Sequence, residues 1–256
     1  HRVGARSLVV LLYHAFSEHK ILLHSDDPSV PPMICECLRI LMYPLQWCSV
    51  YIPTVPSLLL DLVEAPVPFI LGISTTDLDR VDNGALSSIV LVDCDMGTIR
   101  FPPLLNPPCR FEVELDRWCV TAVKEAIISD FKMKKCENNA EDKIMKELSS
   151  EGGCENNYLI QAVVFDCILS MLCHLPECVY NLNSGFPQLN LDMLLEGYSP
   201  PPSALFIRAL STTQAFHRMI SNIHRPEMSM FVQCAARMSR TYRNYDTAGD
   251  AMRRSN

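Results

Sequence analysis

No glycine-rich phosphate loop occurs in this chain. GxxxxGK(S/T) and GxGxxG are both absent, and no GxSxG surrounds a serine, which removes the standard nucleotide cradles and the hydrolase nucleophile elbow. No two of the 12 cysteines stand at CxxC spacing. Cys35 and Cys37 are two apart, a separation that points them to different faces of a helix and excludes a shared zinc. Positive charge is in deficit. With 22 Lys and Arg against 29 Asp and Glu, the net charge of -7 leaves no general basic face to displace counterions from nucleic acid. The opening HRVGARSLVVLLYHAF has no small-residue cleavage site after its apolar stretch, so no secretory leader is expected. The longest apolar run, Tyr158 to Leu175, is interrupted by Gln161, Asp166 and His174. Those residues are costly in lipid, and the run reads as a helix buried in protein.

Apolar residues make up 48% of the 256 positions, enough for one large core or two smaller ones. The cysteines lie inside apolar runs such as CECLRILMY and FDCILSMLCHL, in a chain too large to need disulfide staples. They are expected to be reduced, buried small hydrophobes, and the compartment cytoplasmic. The charge is uneven. From Arg218 to Asn256 seven arginines face Glu227, Asp246 and Asp250, so this end carries +4 and the remainder -11. A solvated basic tail over 224–256 is expected, with an acidic partner or peripheral contact with anionic lipid as its other use.

Four apolar runs predict strands: Lys20–His24, Val50–Ile52, Phe69–Ile73 and Ile89–Asp93. Between the first two, Ile34, Leu38, Leu41 and Met42 recur at the spacing of one helical face. Ser57 is placed to cap a short helix through Val63. This alternation predicts an α/β fold with a central, mostly parallel sheet covered by helices over residues 1–131. The span 132–157 is polar and charged, the composition of a linker or insertion. A mainly helical downstream part follows over 158–223.

Two stretches invite a chemical reading. In SEHKILLHSDDPSVPP, from Ser17 to Pro32, the residues Ser25, Asp26 and Asp27 follow a strand and precede a helix. Their oxygens are placed to accept bonds from unsatisfied helix amides, which explains them as a cap. His19 and His24 flank the strand and are not a metal pair. In IVLVDCDMGTI, Asp93 and Asp95 form a DxD pair after a strand, and the stretch resembles the first motif of haloacid dehalogenase-like phosphotransferases. There Asp93 would be the nucleophile and Asp95 the acid, with magnesium between them. Met96 intrudes before Gly97, and the only GD pair, Gly249-Asp250, lies in the basic tail without a further acid. A turn of D-x-D-x-G-T type accounts for the same residues.

Read in order, EHKILLHS, YPLQWCSVYIPTVP, LLDLVEAPVPFILGI and IVLVDCDMGTI resemble the central part of a DENN domain, and ALFIRALSTTQAFHRMI resembles its late T-Q-x-F segment. The central run is most similar to the large type 4, Crag-like members. The resemblance implies a longin-like module upstream, which this chain is expected to lack, and an α/β module with added helices. It also implies exchange of GDP for GTP on a Rab GTPase in vesicle transport. Such a factor needs no cofactor, no metal and no covalently catalytic residue, because it works by binding. The motif prolines Pro44, Pro53, Pro56, Pro66 and Pro68 then direct the chain, Gly72 permits close backbone approach, and Trp47 and Tyr51 either anchor the core or rim the partner surface. For the partner surface, loops at strand ends are the expected contacts: Ser25, Asp26 and Asp27 after the first strand, and Ser74, Thr75 and Thr76 after the third.

Overall fold

The structure is a computed structural model that describes residues 5–102, 157–181, 187–196 and 202–240. It falls into two compact units, one comprising His1–Tyr43 with Trp47–Phe165 and the other Pro44–Gln46 with Asp166–Asn256. The end of the predicted α/β region, from residue 103 to 131, and nearly all of the polar span 132–157 lie outside the described residues.

The first unit is built on a five-stranded sheet. Its strands are β1 (Ile21–Ser25), β2 (Val50–Ile52), β3 (Phe69–Ser74), β4 (Val90–Asp93) and β5 (Thr98–Arg100), in the order β2-β3-β1-β4-β5. The first four are parallel, and β5 returns antiparallel beside β4. This is the mostly parallel sheet that the apolar runs imply. The β1 strand, ILLHS, is buried at every position, as a strand flanked on both sides and covered on both faces must be. The edge strand β2 is only half-buried. The sequence reading has no counterpart to β5: TIR is three residues long and mostly exposed, and it pairs only because the preceding turn folds it back.

Helix α1 (Ala5–Phe16) precedes the sheet, and α2 (Val30–Leu41) lies against β1 and β3. The other face of the sheet carries Leu22, Phe69, Leu71, Ile73 and Leu91. These pack with Val63 from the 3-10 turn Ser57–Glu64 and with Leu86 from α4 (Asn83–Leu86), which follows the short helix α3 (Thr75–Leu78). Ser57 is not a helix cap. Pro56 takes that position, and the Ser57 hydroxyl instead donates to Asp77 Oδ2 at 2.9 Å. Trp47 and Tyr51 are half-buried: the indole N–H donates to the Val50 carbonyl (3.0 Å) and the phenol to Glu36 (2.7 Å).

The second unit contains the later part of α5 (Asn157–Leu172), then α6 (Leu175–Cys178) and a small hairpin of β6 (Val179–Asn181) and β7 (Pro187–Leu189). Helices α7 (Leu191–Glu196), α8 (Pro202–Leu210) and α9 (Gln214–Ser221) follow. Helix α5 is apolar around its whole circumference, the pattern of a core helix. By length and composition alone Ile160–Cys178 would also pass for a membrane span. In the fold this stretch ends one helix at Leu172, turns, and enters α6. Thr213 caps α9, its hydroxyl accepting from the Phe216 N–H at 3.3 Å.

Residues 226–240, expected at the start of a solvated tail, form a 3-10 turn (Pro226–Met228) and helix α10 over 229–240. Met228, Phe231 and Ala235 are buried. Ser239 is buried too, donating to Glu177 (3.0 Å) and pairing with His174 (3.2 Å). The arginines of this helix occupy its outer face, which is why composition alone suggests a tail. Among the described cysteines, all thiols are free, and Cys35, Cys94, Cys167, Cys173 and Cys178 are buried. Burial pushes the Cys35 and Cys94 thiols up to about 12, so they are inert at neutral pH. Cys37 is exposed on α2, an exception to the expected burial.

Candidate functional site

Parallel strands deliver their carboxyl ends to one edge of the sheet, and there the loops after β1, β3 and β4 meet. Ser25 and Ser74 are register partners on β1 and β3, so the two predicted groups emerge side by side. On the other flank Asp93 pairs with His24 across β1 and β4.

Each loop is tied by hydrogen bonds that the sequence alone does not reveal. Ser25 is fully buried; its hydroxyl donates to Asp95 Oδ1 at 2.8 Å and accepts from the Asp27 N–H at 3.1 Å. The Asp26 N–H donates to Asp95 Oδ2 at 2.7 Å. The expected cap on α2 is therefore corrected. Ser29 holds the cap position without a side-chain cap bond, and Asp27 serves a local turn by accepting from the Ser29 N–H (2.9 Å) and hydroxyl (2.7 Å). After β3, Ser74 caps α3 through the Asp77 N–H (3.2 Å), and its oxygen lies 2.7 Å from the Thr76 hydroxyl. Thr75 Oγ1 lies 3.2 Å from His24 Nδ1. Hydrogen bonds from Ser57 and Ser74, together with Arg80, hold the Asp77 carboxyl below the usual carboxylate range.

Asp93 and Asp95 have structural work in this arrangement. Asp93 Oδ1 accepts from the Asp95 and Met96 N–H groups at 2.9 and 2.8 Å, and Gly97 turns the chain with a φ of 68°. Only glycine adopts that left-handed conformation readily. The DxDxGT stretch is thus the β4–β5 turn, and its second aspartate staples that turn to the loop after β1. Among the described residues no group of three or more His, Cys, Asp or Glu side chains could hold a metal ion. His19 sits beside His14, with Nδ1 atoms 2.9 Å apart, whereas His24 Nδ1 lies beside Thr75 Oγ1.

Sorting the predicted residues by exposure separates two roles. Ser25 is interior, and Ser74 and Thr75 are half-covered; Asp26, Asp27 and Thr76 are exposed. The exposed Met96 joins them at the neighbouring turn, 74% accessible. The edge therefore presents exposed acidic side chains beside the exposed, apolar Met96. Sequence reasoning missed Asp95 and Met96 as parts of this surface. The DxD pattern flagged the first as chemistry, and nothing local flags the second.

Asp95→Ala is expected to cost about 1–3 kcal/mol, because it leaves the buried Ser25 hydroxyl and the Asp26 N–H without their acceptor. Urea unfolding of the variant measures this, and faster hydrogen exchange at Asp26 should accompany it. Stability within about 0.5 kcal/mol of wild type would show that the staple holds nothing.

Comparison with known proteins bears on this segment. Residues 1–97 match the family model of the DENN (AEX-3) domain. The DENN match thus runs from the start of the chain through the β4–β5 turn and contains every residue of the carboxyl edge described above. The late T-Q-x-F segment lies outside it. The chain is 40% identical over 99 residues to "Elicitor of plant defense protein 1" of Gibberella zeae, covering 38% of this chain and 8% of that protein. The Verticillium dahliae protein of the same name is 37% identical over 93 residues, 36% of this chain and 8% of its own length. "DENN domain-containing protein 1B" of Mus musculus is 30% identical over 100 residues, 39% of this chain and 13% of that protein. The chain thus spans only a small part of the curated relatives it matches.

Proposed function

We propose that this protein acts as part of a guanine nucleotide exchange factor for a Rab GTPase, promoting GDP release in membrane traffic from the cytoplasm. The observation that carries the reading is the coincidence of the DENN match with a sheet whose carboxyl edge is an exposed, acidic surface. Exchange by this route needs no acid, base or metal from the factor. Binding energy favours a conformation of the GTPase whose switch segments release nucleotide, a shift of population. Asp26, Asp27 and Thr76, with Met96 beside them, are the proposed contacts, whereas Ser25, Ser74 and Thr75 hold the loops that present them.

The test is a release assay with fluorescent GDP across a set of Rab GTPases, using the full chain. Asp26→Arg combined with Thr76→Arg changes two exposed side chains and should leave the melting temperature near wild type. Release by the responsive Rab should slow by about tenfold or more, the effect of reversing charge on a contact surface. Unchanged release would move the contact surface elsewhere. Rab binding without release on any member would make the protein a DENN-fold scaffold.

A further inference from the structure

Exposure along the 3-10 turn Ser57–Glu64 follows a period of three. Val63 is buried and Leu60 packs partly against the core, while Ser57, in the same row, turns its hydroxyl to Asp77. Leu58, Asp61 and Glu64 form the next row, and all three are exposed. Residues three apart eclipse in a 3-10 helix, and the pattern persists past a step at Leu59, where φ is -115° and ψ is 23°. Leu58 is 91% accessible, the most of any large apolar side chain among the described residues. The turn beneath it is nonetheless fastened. Its Ser57 hydroxyl donates to Asp77 Oδ2 at 2.9 Å, an oxygen that also accepts from Ser74 at 3.1 Å. The Leu59 N–H donates to the Pro56 carbonyl at 2.8 Å, and the Ala65 N–H to the Leu62 carbonyl at 3.2 Å.

A single exposed leucine is common on a protein surface. Its surroundings set this one apart. No Lys, Arg or His stands between Arg39 and Arg80, a stretch that holds Asp61, Glu64, Asp77 and Asp79. Asp77 is engaged with Ser57, Ser74 and Arg80, whereas the carboxylates of Asp61 and Glu64 make no hydrogen bond or ion pair among the described residues. The row therefore offers one apolar anchor and two open carboxylates on a fixed backbone. Its charge repels an anionic lipid surface and attracts cations. A partner that buries Leu58 also takes water from the carboxylates beside it, which is costly unless cations answer them. A helix with basic residues along an apolar stripe supplies both on one face. We infer that the Leu58–Asp61–Glu64 row is a docking surface for a basic amphipathic helix of a partner protein. None of the three residues is among the proposed GTPase contacts, so the inference is independent of the exchange reading.

The experiment uses the full chain and a short, fluorescent helical peptide of leucine and lysine, followed by anisotropy. Binding should saturate and should weaken as salt rises. Leu58→Ser, and separately Asp61→Lys with Glu64→Lys, should each weaken it by about tenfold or more. All three side chains are exposed, so melting temperatures should hold. A second peptide with glutamate in place of lysine should ignore the wild-type chain and bind the variant carrying Asp61→Lys and Glu64→Lys. Nonspecific apolar adsorption does not give that reversal. Absence of binding by the lysine peptide, or equal binding by the leucine and carboxylate variants, overturns the surface. Leu58-dependent capture of the chain by phosphatidylserine vesicles, without peptide binding, overturns it as well and makes Leu58 a membrane contact.

Discussion

Gly72→Ala should destabilise the first unit by about 3 kcal/mol or more, a loss at the upper end of what overpacking produces. A Cβ built at Gly72 would fall 2.1 Å from the Pro53 carbonyl oxygen and 2.9 Å from the Pro31 Cβ. The first of these neighbours is main chain and cannot rotate away. The Gly72 carbonyl also accepts from the Val55 N–H at 2.8 Å, so withdrawing the chain around Pro53 strains the segment that this bond holds. Pro31, Pro53 and Gly72 are thus one device: Pro31 lies in the first turn of α2, Pro53 follows β2, and both close on the bare backbone of β3. Thermal unfolding should show the melting temperature falling by about 6–12 °C, since each kcal/mol moves a domain of this size by about 2–4 °C. A shift below about 4 °C would mean that the contact is looser than its geometry, and that the proline motif directs the chain without packing on it.

Acid should act through His14. Its ring is buried against Phe101, with centroids 5.1 Å apart, and its Nδ1 lies 2.9 Å from His19 Nδ1. Burial, and then the proximity of His19, push its pKa down to about 3; burial also lowers that of His19. In the unfolded chain His14 binds a proton near its ordinary value of about 6.5. Below that pH the unfolded state therefore holds more protons than the folded one, and stability falls as pH falls. The contribution is intact above about 6.5 and is lost progressively toward 3, reaching roughly 2.5 kcal/mol at pH 4.5. Denaturant unfolding at pH 7 and 4.5 should show this loss in wild type and a much smaller one in His14→Phe. Carboxylate effects are common to both proteins and cancel in the comparison. Equal losses would show that His14 takes up its proton without opening the structure.

The three inner strands of the sheet were legible in the sequence because they are almost wholly buried. KILLH, PFILGI and IVLVD are unbroken apolar runs, and hydrophobicity alone places such runs inside. Prolines and turn residues marked where they stop. Parallel order followed from the helical pattern between them, so the layer and its carboxyl edge could be drawn before any coordinates. The roles of individual polar residues could not. Ser25, Asp26 and Asp27 have the composition of a helix cap, but their partner is Asp95, some 70 residues away in sequence, and only the register of β1 beside β4 brings it there. Ser57 likewise carries the signature of a cap and spends its hydroxyl on Asp77. In the arginine-rich segment, Phe231 and Ala235 already stood at helical spacing, yet charge dominates composition while burial depends on which face a neighbour covers. Local sequence determined the backbone elements and their inward faces, where free energy depends on the residue's own apolar area. The tertiary structure decided which of many equivalent oxygens and amides pair, because a hydrogen bond forms with whatever partner the fold places within about 3 Å.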